Sequence, residues 1–272
     1  MGNSLQQRLD RYHVANLPAS ETVITETLRI RAGETVCGFG YRSVIRWAGD
    51  PNDPAVLIDD TTMHSTIVEG ISVVGGFVHV ARLGPGLRTA NIIVHDAPAH
   101  GLYITGVGDA TVFRGWSIRN AAGAGIAVVC GSRMNALTWD ACEVSGCQGP
   151  AVSLFTVGSA ATLSLPKFRD CTLQGNCQST TQQHAEVEVH GAVTGLVIDG
   201  GHIERNRTTG DLVKAFSNDS GRVPRDLTIR DAILAPKWTT HAIDWRGGHG
   251  AAVLTNVQNS KPVMVPYVAP PA

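Results

Sequence analysis

Apolar residues return along this chain in short bursts of period two. In Leu137-Thr138-Trp139-Asp140 and Leu227-Thr228-Ile229-Arg230 every second position is apolar, the mark of a strand with one buried face. Each burst ends on a charged residue, usually followed by Asp or Gly, which bends the chain. Taking Val68, Val94, Phe113, Trp139, Phe168, Ile198, Ile229 and Leu254 as anchors, the copies start 19 to 31 residues apart. Five residues after most anchors stands another apolar residue: Val73, Ile118, Val144, Leu173, Ile203 and Leu234. A further strand follows in most copies, as in Leu102-Tyr103-Ile104, Ile126-Ala127-Val128, Val187-Glu188-Val189 and Ile243-Asp244-Trp245.

Repeats of this length signal a solenoid. Helical periodicity is nearly absent after residue 20, there is no Leu-rich consensus with a fixed Asn, and propeller blades need longer units. The pattern therefore predicts an all-β chain, a single parallel β-helix of about eight coils, with each strand about 4.8 Å from its counterpart in the next coil. The residue after each anchor then falls in one outward column: Glu69, His95, Arg114, Asp140, Arg169, Asp199, Arg230. From Arg114 onward its sign alternates, so neighbours attract, and a slip of register would disrupt the alternation. Asp199 is expected between Arg169 and Arg230. Glu188, Lys214 and Asp244 repeat the device in the later strand, and Cys142 and Cys171 share an interior column as stacked thiols.

Open ends of such a stack expose strand edges. Residues 1–20 are expected to cap the first coil, with Leu5, Leu9 and Val14 on one face of a short helix. Residues 21–258 form the β-helix, and residues 259–272, rich in proline, run extended because proline cannot continue a sheet. The chain has 272 residues, a net charge of −1, 17 % charged residues and 30 Gly. With no basic excess, nucleic acid is not an expected partner. No apolar run is long enough to span a membrane, and the polar start reads as lacking a secretory leader. None of the six cysteines has zinc-ligand spacing, so no metal site is expected.

The stretch Leu28-Arg-Ile-Arg-Ala-Gly-Glu-Thr-Val-Cys-Gly-Phe-Gly-Tyr-Arg-Ser-Val-Ile-Arg-Trp47 resembles the opening coil of pectate-lyase-like right-handed β-helices. Leu28, Ile30, Gly33, Val36, Gly38, Gly40, Ser43 and Ile45 match the usual pattern, while Arg31-Ala32 replaces its proline. The likeness runs to about residue 257 and is closest to bacteriophage tailspikes. It implies a right-handed winding, a homotrimer on a virion tail or outside the cell, and a carbohydrate partner: a host surface polysaccharide that is bound and, in many members, cut. A bacterial polysaccharide lyase or glycoside hydrolase, and a non-catalytic virion or surface spike, remain open. No cofactor is implied, except Ca²⁺ were the chain a lyase.

Glycosidic hydrolysis needs two carboxyls about 5–5.5 or 6.5–9.5 Å apart, spacings that stacked coils supply. One candidate group is Glu143, His202 and Glu204. A second, ranked first, is Glu186, Glu188 and Asp244, with His190 and Lys214 beside them to hold substrate. Alternation places Glu186, Glu188 and His190 on one outward face. Tyr103, Trp116 and Trp245 are expected to stack on sugar rings, whereas Trp139 and Phe168 belong to the core.

Overall fold

The computed structural model describes residues 4–60, 65–179, 184–204, 210–235, 241–259 and 263–264. These wind into a right-handed parallel β-solenoid. Each turn contributes one strand to each of three parallel sheets. The first sheet begins with Val14–Asn16, Thr35–Cys37 and Ile67–Glu69 and ends with Arg225–Arg230 and His249–Thr255; the second runs from Glu21–Ile24 to Gln258–Asn259, the third from Leu28–Arg31 to Val263–Met264. The eight periodic copies read from the sequence occupy residues 67–264, and two further rungs, within residues 14–59, precede them. Three short strands, Gly108–Asp109, Arg133–Asn135 and Thr162–Ser164, form a side branch that joins the first sheet at Val193–Asp199.

The recurring Asp or Gly has a backbone cause. Gly70, Asn91, Gly115, Ala141, Asp170, Gly200, Asp231 and Asn256, one per rung between the first and second sheets, all have φ between 50° and 74°. Only Gly, and less readily Asn or Asp, adopts that left-handed conformation at little cost. Ala141 is the exception and is held there by the rungs on either side.

The anchors stack inside. Phe113, Trp139 and Phe168 form a column of near-parallel rings, with centroids 5.6 and 4.6 Å apart, and all three are buried. Register corrects one anchor. The residue aligned with Val68 and Phe113 is Thr89, not Val94, which belongs to the second sheet beside Val73 and Ile118. A polar residue hides the anchor from a hydrophobicity pattern. Its hydroxyl accepts the indole N–H of Trp116 at 3.1 Å, and both side chains are buried. Trp116 is thus an interior residue and offers no ring to a ligand.

Ala90 accordingly replaces His95 in the outward column. From Arg114 the column aligns as expected, Arg114–Asp140–Arg169–Asp199–Arg230. Asp140 pairs with both Arg114 (2.9 Å) and Arg169 (2.8 Å). Asp199 pairs with Arg230 (2.7 Å) and, instead of Arg169, with Lys167 (3.2 Å). Hydrogen bonds from Arg230 and then Lys167 bring the Asp199 carboxyl down to about 2.

The helix α1 (Leu5–Tyr12) lies on the first rung. Ser4 and Gln7 form a reciprocal cap at its start, and Leu5 and Leu9 are buried, which ties up free amides and covers an open end. Val14 lies beyond the helix, in the first strand, and is 44 % exposed. Cys142 and Cys171 are buried free thiols in adjacent rungs.

Candidate functional site on the outer face of the third sheet

Two outward columns of the third sheet gather most of the candidate chemistry. One runs His79, Tyr103, Ala127, Ser153, Glu188, Lys214, Asp244. The other runs Thr105, Val129, Phe155, His190, Phe216. Tyr103 is half-buried between two imidazoles, with centroids 5.0 Å from His79 and 5.6 Å from His100. His79 also bonds the Thr105 hydroxyl at 2.8 Å, and burial pushes both histidines below the ordinary imidazole range. In the second column His190 lies flat on Phe216 at 4.4 Å and tilted against Phe155 at 5.4 Å, and the Lys214 ammonium sits 5.1 Å above the Phe216 ring.

Beside these columns is a cleft of about 520 Å³ whose wall includes His100, Gln148, Ser153, Ser179, His184 and Glu188. Glu188 is 7 % exposed. Its carboxyl accepts the Ala185 N–H at 3.0 Å and meets His184 at 3.0 Å and His190 at 3.5 Å. Burial acts to raise its pKa, but these bonds outweigh burial and hold it below the ordinary glutamate value. The group is an ionised carboxylate in a nearly dry setting, chemically a base or an anchor for a cation rather than an acid.

One and two rungs further on, Asp211 meets His241 at 3.2 Å and Lys214 at 3.9 Å, while both oxygens of Asp244 are bonded by Arg246 at 2.8 Å. That guanidinium keeps Asp244 ionised below the usual carboxylate range. Ligand atoms of Asp211, His241 and Asp244 lie within 4.8 Å of one another. They do not suit Ca²⁺, which takes six to eight oxygens: two carboxylates and an imidazole are offered, and Arg246 and Lys214 already balance the charge.

Of the first-ranked residues, Glu188, His190, Lys214 and Asp244 are brought together. Glu186 is not. It has no solvent exposure and accepts the Asn176 amide at 3.0 Å inside the solenoid. Strict alternation fails at the corner before Val187, where two successive residues turn inward, as Leu212-Val213 and Ala242-Ile243 do in the next rungs. Trp245 is likewise fully buried and cannot stack on a ligand. A Cβ at Gly248 would come within 2.7 Å of its indole nitrogen, so this Gly lets the ring fold inward. The other group lies on the second sheet. Glu143 and His202 do share a column two rungs apart, with Thr172 between. Glu143 is tied to Arg119 at 2.9 Å and His202 faces Glu204 at 3.8 Å, so this group is separate from the third-sheet cluster. His184, Asp211, His241 and Arg246 escaped the sequence reading. Asp211 and His241 each stand two places before an inward strand residue, Val213 and Ile243, and that shared offset was the available signal.

The stacked rungs and outer groove define a right-handed parallel β-helix of the kind found in phage tailspikes and pectate-lyase-like proteins. No protein-family model matches the chain, and no curated protein matches it in sequence. Among solved structures, it is similar to the ORF18 protein of Geobacillus virus E2 (TM-score 0.67, 13 % identity, 90 % of this chain and 50 % of that one). It is also similar to the enzymatically active domain of bacteriophage CBA120 tailspike protein 2 (0.63, 12 %, 93 % and 38 %). A third is the A-module of the Azotobacter vinelandii mannuronan C-5 epimerase AlgE6 (0.53, 13 %, 98 % and 95 %). The chain spans half or less of the length of these two phage proteins. At such identities the likeness is one of fold.

Proposed function

We propose that this chain binds an extended polysaccharide along the outer face of its third sheet, as the glycan-recognising β-helix of a tailspike-like phage protein that acts as a homotrimer on the virion. One observation carries the reading: rings or charged groups stand on that face in six of the seven successive rungs from His79 to Asp244, the rung of Ala127 and Val129 being aliphatic. The solvent-facing edges of the Tyr103 and Phe216 ring clusters offer apolar surface to sugars, while Glu188, Lys214, Ser153 and the histidines bond hydroxyls. The fold neighbours include a mannuronan C-5 epimerase module, whose named substrate is a polysaccharide, which supports this class of partner.

Cleavage is the second reading, favoured by the buried Glu188 carboxylate between two imidazoles. Glu188 would take a proton from the water that attacks the anomeric carbon, and a neighbouring imidazole would deliver a proton to the glycosidic oxygen as its bond to that carbon breaks.

The test is affinity for a panel of bacterial capsule and O-antigen polysaccharides, with Tyr103→Ala as control. The expected result is saturable binding to at least one glycan, weakened tenfold or more by the substitution. Absence of binding across the panel, or equal affinity of the variant, rejects the surface. Release of reducing or unsaturated ends that stops in Glu188→Gln supports cleavage, and light scattering at three chain masses supports the trimer.

A further inference from the structure

A second cleft, of about 440 Å³, lies where the side branch meets the first sheet, and its wall includes Thr194, Arg222, Arg225 and His249. It shares no wall residue with the cleft at Glu188. Thr194, Arg225 and His249 occupy one column in three successive rungs. Arg225 is stacked directly on His249; the comparable pair in the second sheet, His95 on Arg119, has a carboxylate beside it, because Arg119 bonds Glu143 at 2.9 Å. Of the sixteen arginines among the described residues, eight (Arg31, Arg46, Arg82, Arg114, Arg119, Arg169, Arg230 and Arg246) sit within 4.0 Å of a carboxylate and eight do not. Among the described residues, neither Arg222 nor Arg225 has such a partner, and no acid lines the cleft wall.

Arg222 is also held in place. One nitrogen of its guanidinium donates to the carbonyls of Ser159 (2.6 Å) and Ala161 (2.8 Å). Its backbone N–H donates to the Asn218 side chain at 3.0 Å, and the Asn218 amide in turn donates to the Thr156 carbonyl at 3.0 Å. The remaining N–H edge is thereby pre-set, with the exposed Arg225 and His249 beside it. A fixed guanidinium fork matches the two oxygens of a carboxylate or a phosphate, and holding it in advance lowers the ordering cost of binding.

We propose that this cleft binds an oxyanion substituent of the glycan, a uronic-acid carboxylate or a phosphate, so that the preferred polysaccharide is acidic. The substrate class thus named rests on the glycan reading above, whereas the cleft's affinity for an oxyanion does not. The test uses the full chain and small probes: D-glucuronate, inorganic phosphate and neutral methyl glucoside, titrated by ligand-observed NMR against wild type and Arg225→Gln. Arg225 is exposed, so this variant keeps its fold.

At least one of the two anions is expected to bind, methyl glucoside not to bind in this cleft, and Arg225→Gln to weaken the anion tenfold or more. Preference for glucuronate assigns a carboxylate, and preference for phosphate assigns a phosphate ester. If neither anion binds, or if Arg225→Gln binds both as well as wild type does, the proposal is overturned. Because these titrations probe the second cleft and the polysaccharide panel with Tyr103→Ala probes the third sheet, either can fail without the other.

Discussion

Glu188→Gln keeps the shape of the side chain and removes its charge. The amide oxygen can still accept the Ala185 N–H, now 3.0 Å from the carboxylate. What is lost is the charge-assisted part of the contacts to His184 (3.0 Å) and His190 (3.5 Å). Bonds to charged groups contribute about 1.5–3 kcal/mol against about 1 for neutral ones. At 3.5 Å the second contact is weak, so the expected loss at neutral pH is about 1–2 kcal/mol. The folded-state pKa of Glu188 lies below its ordinary value of 4.5. A depressed carboxyl contributes stability that is fully present above the unfolded value and disappears as pH falls through the folded one. Denaturant unfolding of wild type and variant between pH 5 and 3 should therefore give a difference that shrinks as the pH falls below about 4.5. A difference that is flat across that range, or that grows in acid, would refute the assignment of an ionised Glu188.

Three further outcomes test the scaffold. Asp199→Arg places a cation beside Lys167, Arg169 and Arg230, and should lower the melting temperature by a few degrees, with the deficit shrinking in high salt; an unchanged melting curve at low salt rejects the ladder. Trp139→Ala removes the middle ring of the interior stack and should cost about 3–5 kcal/mol in equilibrium unfolding, whereas a loss below about 1.5 kcal/mol would mean the column is not core. Thr89→Val leaves the Trp116 indole N–H buried without its acceptor and should cost about 1–3 kcal/mol, with Thr89→Ser recovering most of the loss if the hydroxyl rather than the methyl matters.

The winding was legible because its signal is repeated: an apolar anchor, an outward charge and a left-handed corner, again and again. Where one copy broke the rule, the reading slipped. Thr89 carries a hydroxyl in an anchor slot, so the apolar pattern selects Val94 as the anchor and assigns His95 to a column it does not occupy. Extending alternation through a corner placed Glu186 outside, although the backbone turns there and points it in. The site was legible where it sat on strands, as with Glu188, His190, Lys214 and Asp244. It was hidden where its members precede the strands, as with His184, Asp211 and His241, because no simple period governs a turn. Ion-pair partners were half legible: register puts Arg169 beside Asp199, but the longer reach of Lys167 takes the contact.

In-register parallel pairing also constrains how such a molecule can change length. A duplication that copies one complete circuit inserts a new layer whose corner, anchor and outward charge all meet their equivalents above and below. The gene can therefore lengthen or shorten the outer strip layer by layer, as beads are added to a string, while a partial insertion must be looped out at a corner or it shears every layer beyond it.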